Sequence, residues 1–301
     1  MFSVVFGLAT NSSNGEILNW LKEISNEMSL IDPNRFKVQV VICINGRQEK
    51  APVSLDSDLD IMILNSDNPG KNDALNLILQ YSRNHEYDII HFFDDDIMFK
   101  KGSIRKNLET LINYPVGSPI LVGSDFKVNE ANLNLLQKVL NAPFEHDSDS
   151  NLFLSGTSIC SWTSVYPKMP DSKDLIAEDS FVCIYFIKNY QGAKIIKPVE
   201  SITYFDSVRG LKDWYWQQVR VYVGVEKSFC MYPNDYERLQ NFFSWRYAEN
   251  PKYRLKRKTL SVNAFIKLSV FRFLQKFVFI KGNKLLKRDS NIMWNKNRGE
   301  E

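Results

Sequence analysis

The stretch IIHFFDDDIMF, residues 89–99, joins two features that rarely sit side by side. Ile89, Ile90, Phe92 and Phe93, with His91 among them, suit a strand buried on both faces. Asp94, Asp95 and Asp96 follow at once. Neighbouring carboxylates repel, and partial burial makes the repulsion worse. A buried strand that ends in such a cluster calls for an opposite charge to hold it.

Working outward, the first 130 residues alternate apolar runs with helical patterns. FSVVFGLAT (2–10) reads as a strand, and Ser13-x-x-Glu16 as a capping box opening the helix EILNWLKEISNEM. FKVQVVICING (36–46) and LDIMILN (59–65) are two further strands. Pro69-Gly70 leads into KNDALNLILQYS, where Ala74, Leu75, Ile78 and Leu79 recur at helical spacing. Strand–helix alternation with continuous apolar strands predicts an α/β fold, a mostly parallel sheet flanked by helices on both faces. Ligands bind such sheets at the carboxyl ends of the strands, where Thr10-Asn11, Asn45-Gly46 and Asp94–Asp96 all fall. Later come a strand over SPILVGSDF (118–126), a helix over NLNLLQKVLN (132–141) and a strand bent at Gly156 over NLFLSGTSICSW (151–162). A helix over EDSFVCIYFIKNYQG (178–192), closed by its glycine, and the strand AKIIKP complete the series.

At 301 residues, 44% hydrophobic and 24% charged, the chain is long and apolar enough for a real core, which excludes wholesale disorder. Cys43, Cys160, Cys183 and Cys230 are far apart and form no CxxC pair, which argues against a structural zinc site and fits a reducing compartment. The start MFSVVFGLAT has no basic segment or cleavage pattern and is expected to be the first strand. No apolar run reaches the roughly 18 residues of a membrane span. Charge is uneven: residues 252–298 hold 14 Lys and Arg against Asp289 alone, about +13, leaving about −10 on the remainder. A boundary near residue 245 is expected, with a body over 1–245 (halves 1–130 and 131–245) and a basic helical C-terminal extension over 246–301.

The polar clusters suggest chemistry. In extended backbone Asp94 and Asp96 face together while Asp95 faces away. Two such carboxylates make a half-site for Mg²⁺, which takes one or two protein carboxylates and completes its shell with water and phosphate; a solvated polar strand end is the alternative. Gly70-Lys71 opens a helix where a lysine can meet phosphate or the edge of a base, although no P-loop is present. Glu178 and Asp179 stand at a helix start, where they serve as caps or place a general base beside a hydroxyl. In DWYWQQVRVY (213–222), Gln217 and Arg220 share a helix face, and the arginine can neutralise a departing diphosphate.

Taken together, the order and spacing of these motifs over residues 3–222 resemble the family 2 glycosyltransferases of the GT-A fold. LATNSSNGEIL is similar to that family's first strand and nucleoside loop, NPGKNDALN to its N-x-G-K-x-x-A-L-N segment, and FFDDDI to its D-x-D position. AED is similar to its ED motif, and Gln217-x-x-Arg220-Val221 to a partial QxxRW, 38 residues after Asp179. The resemblance implies a Rossmann-like GT-A domain that catalyses inverting transfer from a nucleotide-diphospho-sugar, most readily a UDP-sugar, to a hydroxyl of a glycan or lipid-linked acceptor. It implies Asp179, with Glu178, as catalytic base. Asp96 would hold Mg²⁺ or Mn²⁺ with Asp94, which also meets the nucleoside. Thr10, Asn45, Lys71 and Asp95 would help bind the donor, with Gln217 and Arg220 at the diphosphate. The chain departs from the family where Val221 replaces the final tryptophan, for which Trp214 or Trp216 is a candidate substitute. It also departs where ATN replaces TYN, and in lacking the spans of the processive synthases. A sugar-phosphate nucleotidyltransferase and a non-catalytic nucleotide-sugar-binding protein remain alternatives.

The basic tail, 252–288, mixes Phe265, Leu268, Phe271, Phe273 and Phe277 with lysines such as Lys267 and Lys276. One apolar face laid on an anionic membrane would anchor the protein at the inner face of the cell membrane, as a peripheral cytoplasmic protein. A helix packed on the catalytic body with a solvated basic face is the other reading. Nucleic acid is not expected, since no nucleic-acid motif accompanies the charge.

Overall fold

The computed structural model describes residues 1–12, 14–46, 59–68, 70–131, 133–141, 153–171, 177–236, 239 and 261–287. The Ser13 capping hydroxyl, Pro69 and the tail residues 246–260 and 288–301 lie outside them. The chain divides into two compact units. The first comprises residues 1–127, 154–172 and 178–205, and the second 128–153, 173–177 and 206–301.

In the first unit, a seven-stranded sheet is built from β1 (Phe2–Thr10), β2 (Phe36–Asn45), β3 (Ile61–Ser66), β4 (Ile89–Phe93), β6 (Ile120–Gly123), β8 (Ser158–Trp162) and β9 (Lys194–Ile196). Its order is β3-β2-β1-β4-β8-β6-β9. The pairings β1–β2, β2–β3, β1–β4 and β6–β9 are parallel, and β8 runs antiparallel to both β4 and β6. The mostly parallel sheet predicted from the apolar runs is thus present. On one face, α1 (Asn14–Met28) lays Ile17, Trp20, Leu21 and Ile24 into a core with Val4, Phe6 and Leu8 of β1 and Val40 and Ile42 of β2. These strand residues are two apart, as one face of a pleated sheet requires. On the other, α2 (Lys71–Asn84) buries Ala74, Leu75, Ile78 and Leu79. Gly7 permits the close fit there: a Cβ on it would meet Phe92 at 2.8 Å and Ile78 at 3.0 Å.

The segment expected as one strand over 118–126 is two. β6 stops at Gly123, and β7 (Asp125–Val128) belongs to a second, three-stranded sheet, ordered β5-β10-β7 with β5 (Ile97–Phe99) and β10 (Ile202–Phe205). The division falls at Ser124, whose buried hydroxyl joins a network with Asn107 (3.1 Å) on α3 (Ser103–Leu111) and Ser201 (2.8 Å). Asn107 Nδ2 also donates to Ser158 Oγ at 3.1 Å, and that hydroxyl meets His91 Nε2 at 2.8 Å. The strand expected over 151–162 is confined to β8.

The described residues of the second unit are mainly helical, with α4 (Leu135–Leu140) among its elements. α4 is opened by a reciprocal box in which Asn134 and Gln137 satisfy each other's backbone N–H. The helix α5 (Glu178–Asn189) belongs to the first unit. α6 (Leu211–Cys230) and α7 (Val262–Lys287) then pack together through Trp214, Val219, Val223, Phe271 and Val278. Gly282 allows the approach, since a Cβ there would fall 2.3 Å from the Tyr222 ring. Among the described residues, no helix is long and apolar enough to cross a membrane.

Candidate functional site

Strand order reverses between β1 and β4, so the carboxyl ends of these two strands border a crevice. Both ends carry polar residues, and side chains tie them together. Thr10 Oγ1 and Ser12 Oγ each donate to Asp95 Oδ2 at 2.5 Å, and the Ser12 N–H donates to Thr10 Oγ1 at 2.9 Å. Strand geometry ends at Phe93, and the aspartates diverge from there. Asp95 is drawn to the β1 loop, Asp94 to Lys71, and Asp96 is exposed.

Lys71 is the first residue of α2, and its Nζ forms ion pairs with both Asp94 and Glu178. The three side chains are largely buried, at 12% exposure for Lys71, 25% for Asp94 and 16% for Glu178. Burial works against the Lys71 ammonium, but Asp94 and Glu178 outweigh it and hold its pKa well above the ordinary value. For Asp94, burial raises the pKa, Lys71 opposes, and the like charges of Asp96 and Glu178 add to the rise, which is the net result. One ammonium is therefore shared among more carboxylates than it can neutralise. Gly156 closes the cluster from behind: a Cβ on it would stand 3.2 Å from Glu178 Oε1, 3.5 Å from Asp94 and 3.6 Å from Lys71 Nζ. Tyr166 is buried nearby. Burial first and the Glu178 charge second push its phenol well above the usual range, so it stays protonated.

Of the residues proposed from sequence, the structure brings Lys71, Asp94 and Glu178 together, and Thr10 with Asp95. Asn45 ends β2 beside β1, buried, with a side-chain Nδ2 that finds no partner among the described residues. Asp179 Oδ1 accepts from the Ser180 N–H at 2.6 Å and Ser180 Oγ at 3.2 Å, at the start of α5. Gln217 and Arg220 lie about one turn apart on α6, in the second unit. Trp214 is buried in the core of that unit, its ring 5.5 Å from Phe271, and so offers no stacking surface; Trp216 is 47% exposed. Sequence reasoning missed Ser12, Gly156 and Tyr166. Ser12 lies inside the LATNSS stretch and Gly156 was read only as a bend in a strand, whereas nothing local marks Tyr166.

Among the described residues, no three His, Cys, Asp or Glu side chains form a group that would hold a metal ion by itself. Magnesium-type chemistry does not need one, because substrate phosphates complete the shell. Exposed Asp96, beside Asp94, suits that donor set, whereas Asp94 is already engaged by Lys71.

Among solved structures, the chain is similar to a mannosyltransferase from Pyrobaculum calidifontis in complex with GDP-Man and Mn²⁺. The TM-score is 0.58 at 14% identity, over 95% of this chain and 87% of that one. It also matches TarS 1–349 of S. aureus at a TM-score of 0.47 and 14% identity, over 94% and 81%. The first likeness alone bears on the fold. No protein-family model matches the chain, and no curated protein does. The chain has a GT-A-like fold: a mixed, mostly parallel sheet flanked by helices, with a helical C-terminal region.

Proposed function

We propose that the protein is an inverting glycosyltransferase that moves a sugar from a nucleotide-diphospho-sugar to a hydroxyl of a glycan or lipid-linked acceptor. The observation that carries this reading is the Lys71–Asp94–Glu178 cluster, backed by Gly156, at the strand-order reversal of a GT-A-like sheet. The acceptor oxygen attacks the anomeric carbon while the bond to the diphosphate oxygen breaks. The nucleoside diphosphate leaves with the electron pair, and the acceptor proton passes to a carboxylate. Glu178 is held in an ion pair with Lys71, and Asp179 is the carboxylate that takes the proton in this reading. Asn45, whose buried Nδ2 has no partner among the described residues, and Thr10 contribute to the nucleoside site together with Asp94 and Asp95. Gln217 and Arg220 are the residues this reading assigns to the diphosphate. Asp96, with Asp94, would hold Mg²⁺ or Mn²⁺, which supplies Lewis-acid stabilisation of the leaving diphosphate. A UDP-sugar is the expected donor, and the inner face of the cell membrane the expected place of reaction.

The test is calorimetric binding of UDP, GDP, dTDP and CDP with and without Mn²⁺, followed by product analysis with the corresponding sugar donors. One nucleotide should bind more tightly with metal, and Asp96→Ala should abolish the gain. Release of pyrophosphate would instead identify a nucleotidyltransferase. Absence of binding at millimolar nucleotide would refute the donor site.

A further inference from the structure

The helix α7 is apolar on two opposite faces. Ala264, Leu268, Phe271, Gln275, Val278 and Gly282 are its buried positions, turned inward in the second unit. On the opposite side, Phe265, Ile266, Val270, Phe273, Phe277 and Ile280 are between 42% and 59% exposed. At 100° per residue, these six positions fall within about 140° of arc, an apolar stripe some four turns long that only Ser269 and Lys276 interrupt. The sequence pattern had placed Leu268 and Phe271 with Phe265 and Phe277 on one face. The structure separates the two pairs, and the outer stripe needs its own explanation, since exposed apolar patches of this extent mark contact surfaces.

The charges decide what covers it. Residues 262–287 contain six Lys and Arg and no acid. Exposed Lys276 lies at the edge of the same arc, exposed Lys284 and Lys287 follow in it past Ile280, and Lys281 reaches over the exposed Trp216 ring at 5.4 Å. Five further basic residues stand between 252 and 258 in the sequence. A second copy of this face would set cations against cations. An anionic lipid surface matches both features, taking the apolar stripe to the depth of the acyl boundary and the lysines at its phosphates. We infer that the outer face of α7 is a membrane-docking surface selective for anionic lipid, seated in the plane of the interface. This inference stands independently of the sugar-transfer reading.

The experiment is sedimentation of the full-length protein with vesicles of phosphatidylcholine alone or with 30% phosphatidylglycerol, a composition chosen for its charge. Binding is expected only to the anionic vesicles. Phe273→Ser/Phe277→Ser should weaken it about a hundredfold through lost apolar burial, and Lys276→Ala/Lys284→Ala about 25-fold, fivefold per lysine. The lysines are exposed and the two phenylalanines half-exposed, packed mainly on each other with ring centroids 5.3 Å apart, so thermal unfolding should change little, and this is checked in parallel. Anionic binding that is indifferent to the phenylalanine pair would overturn the inference, because charge alone would then suffice. So would no vesicle binding together with a dimer, seen by light scattering, that Phe273→Ser/Phe277→Ser dissolves.

Discussion

Replacing Lys71 with methionine keeps most of the side-chain volume and removes the single cation between Asp94 and Glu178. Two attractions disappear, each worth about 4 kcal/mol at 4 Å in a medium of effective dielectric near 20. The desolvation penalty of the buried ammonium, several kcal/mol, disappears with them, which leaves a net loss of about 3 kcal/mol. Protonation sets an upper limit. The folded variant can instead take a proton on one surplus carboxylate, at a cost of about 1.4 kcal/mol for each pH unit above an unfolded pKa near 4.3. That limit is about 4 kcal/mol at pH 7 and about 1 kcal/mol at pH 5. The sign follows from proton counts: the folded variant binds more protons than its unfolded chain in this window, so its stability falls as pH rises. In the wild type Lys71 stays charged throughout, its pKa being held far above the window. Hydrogen exchange of the β1 and β4 amides reports the first unit alone and is the suitable assay. The expected deficit is about 3 kcal/mol at pH 7 and about 1 at pH 5, and Lys71→Met/Glu178→Gln should recover half or more of it. A deficit below about 1 kcal/mol at pH 7, or one that does not change with pH, would refute the shared-cation account.

Gly156→Ala places a methyl group 3.2 Å from Glu178 Oε1 without disturbing the backbone conformation. Donor affinity should drop about tenfold in calorimetry, while stability by hydrogen exchange changes by less than about 1 kcal/mol. Gly123→Ala sets a Cβ 2.4 Å from the Ser158 carbonyl oxygen, across the β6–β8 pair. The strands must part, and about 2–3 kcal/mol of first-unit stability should be lost in the same assay. His91 is buried and its pKa is pushed down to about 3 by that burial. The unfolded imidazole protonates below about 6.5 while the folded one stays neutral, so stability falls as pH drops through that range. His91→Gln removes this contribution, and the wild-type advantage over it should shrink by about 2 kcal/mol between pH 6.5 and 5.

What the sequence reveals here depends on the length over which a physical constraint repeats. β1, β2 and β4 are largely apolar, without alternation over Val4–Ala9, Val40–Ile44 and, apart from His91, Ile89–Phe93, because both of their faces are covered there, and that pattern was legible in the sequence. The small sheet was not, since β5 has three residues and β10 four, too few for a period to register. The break at Ser124 was hidden for another reason: its cause lies in Asn107 and Ser201, remote in sequence, which turn a buried hydroxyl into a satisfied one.

The same distinction governs the site. Every proposed carboxylate was visible as a local motif, but the pairing of Lys71 with Glu178 joins residues more than a hundred positions apart, and nothing local predicts it. Sequence assigned the lysine to phosphate and the glutamate to proton transfer, two separate roles. In the folded chain the two are bound to each other, and Asp94 shares the lysine. A donor diphosphate that approaches Lys71 must therefore compete with two carboxylates for one ammonium. A metal at Asp96 would change that balance, because a divalent cation there would offset the negative charge that, after burial, raises the Asp94 pKa. Metal and nucleotide should then bind with positive coupling, each more tightly in the presence of the other, and the coupling should weaken in Lys71→Met to what the direct attraction between metal and diphosphate supplies, because no ammonium remains to be released.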